Sequence, residues 1–246
     1  MQPYNTFGMI FLALGISLSA SPQSFADITV KHLEGDKMTC SIWLSDLKLE
    51  EKIVKHLGKE ESRLTLFIEE GEIDHQKIGH PAIPFVEYKI LLPYGYSLEE
   101  AKPTFRNVEF HNIKTKIDFI PQEITITDYA DPIKREQWEQ SLTEDNQIYL
   151  TNTLYNEIEN FYYQQFTTRG YQLVSLKANP IQYNPVTGVL RYSRHIELTL
   201  NLKRNPEVTD IADKFVRFDA NDEEFIKKLA VNAEEISTYV FPKTRK

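Results

Sequence analysis

Residues 189–202 alternate almost without fault: Leu190, Tyr192, Ile196, Leu198, Leu200 and Leu202 fall on one side of a period-two repeat. Arg191, Ser193, His195, Glu197, Thr199 and Asn201 fall on the other. Such alternation predicts an antiparallel strand with one dry and one wet face. Arg194 interrupts the dry side and is expected near its edge. Ahead of this strand Gly170 marks a turn, residues 171–183 run out, and Asn184-Pro185-Val186-Thr187-Gly188 reverses the chain. Pro180 and Pro185 lack the amide that a ladder needs, so they belong at an edge, a bulge or a strand end.

The same period recurs upstream. "DITVKHL" and "DKMTCSIWL" flank Glu34-Gly35 and predict a hairpin, with Met38, Cys40, Ile42 and Leu44 on its inner face. "SRLTLFIEE" places Leu64, Leu66 and Ile68 on one face and Arg63, Thr65 and Phe67 on the other. "FVEYKILLP" is a strand bounded by prolines, "FRNVEFHNIKTKIDFIP" is one or two strands, and "EITIT" is another. Helical spacing is rarer. Residues 45–57 read as a short helix, capped by Ser45, with Leu47, Ile53, Val54 and Leu57 as its apolar side and Gly58 at its end. "DPIKREQWEQSL" reads as a helix opened by Asp131-Pro132, whereas "LYNEIENFYYQQF" fits neither period. "RNPEVTDIADKFVRFDAND" reads as a polar connector, followed by a helix over residues 222–236 capped by Asn221, with Phe225, Leu229, Ala233 and Ile236 as its stripe. These elements predict a mainly β protein: one antiparallel sandwich with a few short helices and a C-terminal helical arm.

Composition narrows the setting. The first 26 residues carry no ionised side chain, and an apolar run over residues 9–20 leads to Ser24 and Ala26 at the small positions of an export cleavage site. Residues 1–26 are therefore expected to be a signal peptide, with a membrane anchor as the rival reading. The run is short of the ~20 residues that span a bilayer, and no later stretch is apolar enough to cross a membrane, so no stable membrane insertion is expected after cleavage. Residues 27–203 then form the sandwich and residues 204–246 the connector, helix and basic tail. The chain is expected to be secreted or periplasmic. Its net charge of −8, with dispersed Lys and Arg, disfavours nucleic acid as a partner. A single cysteine, Cys40, excludes an internal disulfide, and its place on the inner face of a strand favours a packed thiol over a nucleophile.

Reactive motifs are missing. There is no Gly-x-Ser-x-Gly and no P-loop, and nine glycines leave no Gly-rich phosphate cradle. His75 and His80, amid Glu69, Glu70, Glu72 and Asp74, could bind a metal, but the spacing matches no ligand motif and a solvated loop is the plainer reading. Glu99-Glu100, Glu223-Glu224 and Glu234-Glu235 read as solvated faces. No cofactor and no catalytic residue is expected.

Two motifs carry a resemblance. "GHPAIPFVEYKILLP", with Gly79, Pro81, Pro84 and Pro93, is similar to the Gly-x-Pro-x-hydrophobic-Pro segment and proline-ended strand of gingipain-type propeptides, the N-terminal prodomains of clan CD cysteine peptidases. "RGYQLVSLKANPIQYNPVTGVLRYSRHIELTLNL", with Gly170, Tyr171, Pro180, Gln182, Tyr183, Asn184, Pro185 and Gly188, resembles the same family's Arg-Gly-Tyr strand, Pro-x-Gln-Tyr-Asn-Pro turn and long return strand. "GDKMTCSIWL" and "IDFIPQEI" fit more weakly. The resemblance implies a jelly-roll-like sandwich that keeps a gingipain-type cysteine peptidase latent, helps it fold and stays bound as an inhibitor. It also implies an inhibitory basic residue on a protruding or terminal segment, entering the peptidase's S1 pocket. Arg245 and Lys246 are the candidates here, against the plain reading of a soluble tail. The family's peptidase domain should follow, yet the sequence stops at Lys246 without a second cysteine, so the expectation is a free-standing prodomain or a truncated remnant that cleaves nothing. The alternative is an exported module that binds a cell-surface polymer or protein, with Phe161, Tyr162, Tyr163 and Phe166 as a stacking surface.

Overall fold

The structure, a computed structural model, describes residues 28–239 apart from 33–34, 57–58, 157–160 and 218. The expected export segment and the tail candidates Arg245 and Lys246 lie outside the described residues.

β1 (Ile28–His32) and β2 (Lys37–Trp43) form the expected antiparallel hairpin, with Val30 opposite Cys40. Met38, Cys40, Ile42 and Leu44 all point into the core. The helix expected over residues 45–57 does not form in the described part, 45–56: β3 (Lys48–His56) instead ladders with β4 (Lys59–Phe67) in a two-stranded ribbon. Ile53 is 73% exposed, so the stripe that suggested a helix is not a core face. Cross-strand pairing decides, with Lys55 opposite Glu60 and the buried Leu64 and Leu66 drawing β4 onto the body.

β5 (Val86–Leu91) is followed by β6 (Tyr96–Asn112), one long strand that begins earlier than the sequence suggests and tolerates Pro103 because it runs along a sheet edge. "EITIT" is not a strand. Thr125 turns the chain into α1 (Ile126–Ala130) by accepting from the Asp128 amide, an N-cap that overrides the β-branched composition. α2 (Pro132–Ser141) opens at Asp131-Pro132 as expected, and α3 (Asn146–Tyr149) adds one turn. The aromatic segment with no clear period becomes β7 (Phe161–Thr168).

After Gly170 the outward run divides. β8 (Tyr171–Ala178) pairs with β5 and β7, whereas β9 (Ile181–Asn184) pairs with the return strand β10 (Val189–Arg204), so Asn179-Pro180 is where the chain changes sheets. The five-stranded sheet runs β1-β2-β10-β6 with β9 also on β10, and the three-stranded sheet runs β5-β8-β7. Their inner faces meet in one apolar layer that includes Ile42, Ile90, Val174, Leu176, Ile196 and Leu198. The expected wet face of β10 is partly dry: His195 is buried, lies flat on Trp43 (centroids 4.2 Å apart, planes at 5°) and shares a 2.8 Å hydrogen bond with Ser41. Arg194 does reach outward, to Asp46 at 2.6 Å.

The segment expected as a connector is helical. Asn205 caps α4 (Pro206–Phe215), with Pro206 in the first turn, and α5 (Ala220–Leu229) starts at an Asp219 cap rather than at Asn221. α5 buries Ile226 and Asp222 rather than a stripe through Phe225, and a 3-10 turn (Ala233–Thr238) follows it. These elements pack on the small sheet, where Leu91, Tyr171, Leu173, Ala212, Ile226 and Tyr239 form a second apolar cluster. Asn232 locks them to β5, accepting from the Leu91 amide at 2.8 Å and donating to its carbonyl at 2.9 Å. Among the described residues no helix is long and apolar enough to cross a membrane.

Candidate functional site

Several of the residues examined for chemistry are engaged in structure. Cys40 is buried between the sheets, and desolvation pushes its thiol up to about 12, far from a thiolate nucleophile. His80 shares a 2.9 Å hydrogen bond with the Tyr155 hydroxyl, and Asp74 accepts from Lys177 at 3.0 Å. Among the described residues no three His, Cys, Asp or Glu side chains group as metal ligands. Glu100 accepts from Asn201, and Glu224 pairs with Lys228. The four aromatics of the segment before Gly170 divide: Phe161 packs on the main core and Phe166 on the second cluster, leaving Tyr162 (61% exposed) and Tyr163 (37%) at the surface.

The two family-like motifs, far apart in sequence, lie side by side. β5 and β8 pair antiparallel from Val86 opposite Ala178 to Leu91 opposite Leu173. Pro81, Pro84, Pro93, Pro180 and Pro185 are all buried at strand ends or crossings. Tyr171 and Tyr183 are buried as well, and Gln182 accepts from Arg191 at 3.3 Å. At the hairpin end the Asn184 side chain accepts from the amides of Val186 and Thr187, both at 3.1 Å, an Asx-type turn. Gly188 closes it at φ +69°, with the Ile113 carbonyl where a Cβ would stand.

Gly79 ties the first motif to a feature not visible in the sequence. Its amide donates to Ile120 and its carbonyl accepts from the Asp145 amide, both at 2.8 Å, so it stitches together the two legs from which α1 and α2 project. A Cβ at Gly79 would stand 3.2 Å from the Asp145 nitrogen, on a backbone already at φ +79°. The projecting piece, here termed the spur, buries no side chain of either helix. It organises itself: Trp138 donates to the Gln122 carbonyl at 2.7 Å, Tyr129 meets the Trp138 ring edge-on, and the Arg135 guanidinium lies over Tyr129. Lys134 pairs with Asp128, and Ile126 (52%) and Ile133 (69%) are exposed. Its tie to the ribbon is a Lys55–Glu139 pair at 3.2 Å.

Beneath the spur lies a charged cluster. Arg63, on the face opposite Leu64, Leu66 and Ile68, is 3% exposed and bonds Glu144 at 2.8 Å and Glu61 at 2.7 Å. Lys116 takes the other Glu144 oxygen at 2.7 Å. Burial alone would raise the Glu144 carboxyl, but hydrogen bonds from Lys116 and Arg63 outweigh it and hold the carboxyl below its ordinary value. Strand alternation places Arg63 in water, and its partner Glu144 is 81 positions away, so no local signal marks it.

The family model described as Propeptide_C25 matches residues 58–226. Among solved structures, the chain is similar to a complex of Porphyromonas gingivalis RgpB pro- and mature domains, at 17% identity and a TM-score of 0.57, covering 87% of this chain and 99% of that one. It is also similar to a structure concerning the zymogenic latency of gingipain K from Porphyromonas gingivalis, at 15% identity and a TM-score of 0.53, covering 73% of this chain and 94% of that one. At such identities the likeness is one of fold. No curated protein matches the sequence.

Proposed function

Because the chain belongs to the C25 propeptide family, we propose that it is an exported propeptide domain that binds a gingipain-like cysteine peptidase and keeps it latent or assists its folding. As a member of a propeptide family it is not itself a peptidase. The spur is the observation that carries the reading. It stands on a fixed base, fully buries none of its helical side chains and carries Lys134, paired with Asp128, and Arg135, lying over Tyr129, beside the exposed Ile133. A basic side chain on a protruding segment is what the propeptide resemblance calls for, and a guanidinium suits an acidic pocket because its planar fork pairs with both oxygens of a carboxylate. A stable complex of this kind would bury on the order of 1,600 Å², more than a spur alone supplies, so neighbouring surface joins it. The basic tail at Arg245 and Lys246 is the second place from which such a side chain could come.

The test is a titration of the full chain into gingipain-type cysteine peptidases purified from the host's exported fraction. Suppression near one-to-one stoichiometry is expected. It should persist when residues 242–246 are removed and fall when Lys134 and Arg135 are both changed to Ala. Full activity at micromolar chain would end the proposal, and loss of inhibition on tail removal alone would move the contact there.

A second reading, an exported module for a cell-surface polymer, is favoured by Trp43, 43% exposed on the uncovered face of the five-stranded sheet and backed by His195. Retention on glycan resins that vanishes in Trp43→Ala would promote it; passage of the unmodified chain through such resins removes it.

A further inference from the structure

We infer that Arg63 is a positioning residue for the spur: its guanidinium grips two carboxylates beneath the base and so sets the direction in which α1 and α2 project. The inference rests on the reading of the spur as the partner contact. Three segments converge on this side chain. β4 supplies Arg63 itself and Glu61, which accepts from Nη2 at 2.7 Å and from Nε at 3.2 Å. The leg entering the spur supplies Phe119, its ring 5.7 Å from the guanidinium carbon, and Lys116. The leg leaving the spur supplies Glu144, which accepts from Nη1 at 2.8 Å, and Tyr149, whose ring lies 5.9 Å away. The Tyr149 hydroxyl then donates to the Ile117 carbonyl at 2.9 Å, joining the two legs once more.

Only a planar fork can satisfy carboxylates on two sides while lying between aromatic rings; an ammonium group offers a point charge without that geometry. Apolar side chains of the same volume would hold the layers together as well or better, since burying charge offsets much of what the pairing gains. What the ion cluster adds is direction. The Lys55–Glu139 pair cannot replace it, because Lys55 is 59% exposed and such surface pairs hold weakly. With the cluster gone, the entering leg would keep its backbone bonds to Gly79, Leu64, His80 and Ala82, but the leaving leg would lose its side-chain grip beside the Gly79–Asp145 bond, and the spur would swing there.

The experiment uses the full chain in three versions: unmodified, Arg63→Lys, and Arg63→Met with Glu144→Gln. The double variant removes the buried Arg63 charge and that of its half-buried partner Glu144, and leaves Glu61 and Lys116 where water can reach them. Hydrogen–deuterium exchange should show amides of residues 126–141 opening at least about tenfold more often in the double variant. β2 and β10 should stay unchanged and Arg63→Lys should fall between. Unchanged exchange in the spur overturns the inference, and so does equal acceleration in β2 and β10, which would mark a merely structural role. In the peptidase titration the double variant should inhibit at least about tenfold more weakly, a loss that vanishes when residues 122–141 are replaced by a Gly-Ser linker. A loss that survives the replacement also overturns the inference. If the spur loosens selectively while no version inhibits any peptidase, the positioning role stands and the propeptide reading falls.

Discussion

Between the two sheets Ile42, Ile90, Val174, Ile196 and Leu198 are sealed from water. Along α1 and α2 no side chain is. The sandwich is thus held by dispersed apolar burial, each sealed Ile or Leu contributing about 1.5–3 kcal/mol. The spur is held by caps, two ring contacts, the Trp138–Gln122 hydrogen bond and surface ion pairs, and at its root by the Gly79 backbone bonds and one charged cluster. Stability that is spread over many residues resists any single change. A projection fixed by a few polar contacts has a defined direction but little stability of its own, and its uncovered surface is left for another molecule. On the proposed reading the two jobs fall to different regions, and the contrast can be broken experimentally.

The largest effect should come from the sandwich. Ile196→Ala is expected to cost about 2–5 kcal/mol in urea unfolding, while Ile133→Ala on the spur should stay within about 0.5 kcal/mol; equal costs would erase the contrast. Next, Gly188→Ala forces a side chain into a left-handed turn against the Ile113 carbonyl, for a loss of about 1–3 kcal/mol in the same assay. Asn232→Ala should cost about 1–2 kcal/mol by leaving the Leu91 amide and carbonyl without their partner. Its signature is faster exchange at Leu91 and in the C-terminal helices but not in β2.

The smallest effect concerns pH. The Glu144 carboxyl lies below its ordinary value in the folded protein, so its contribution is fully present above the unfolded value of about 4.3 and is lost as pH falls through the folded one. Spur exchange, corrected for intrinsic rates, should therefore hold steady from about pH 7 to about 5 and rise only below about 4. Loosening near pH 6 would mean that another group governs the root.

How much of this can be read from the sequence follows from where each element finds its partners. β2 and β10 are legible because each seals one face, broken on β10 only by Arg194, which leaves a period of two in the residues themselves. β3 is not, because its reason for being a strand is the neighbouring β4, and Ile53 on its exposed end mimics a helical stripe. α4 was within reach: Asn205-Pro206-Glu207 is a cap, a first-turn proline and an acid in order, followed by Val208 and Ala212 one turn apart. The base of the spur is the opposite case. The Gly79 motif is visible as a motif, but nothing near it shows that its backbone joins Ile120 to Asp145, or that Arg63 will turn inward to meet Glu144. Long-range polar contacts leave no periodic trace.

The most direct measurement is a hydrogen–deuterium footprint of the chain mixed with the gingipain-type cysteine peptidase it is proposed to bind. The account predicts that binding slows exchange most strongly in residues 122–141, with the flank of the β3–β4 ribbon next and the outer face of β2 and β10 unchanged. Protection concentrated on β2 and β10, with the spur exchanging as fast as in the free chain, would contradict it.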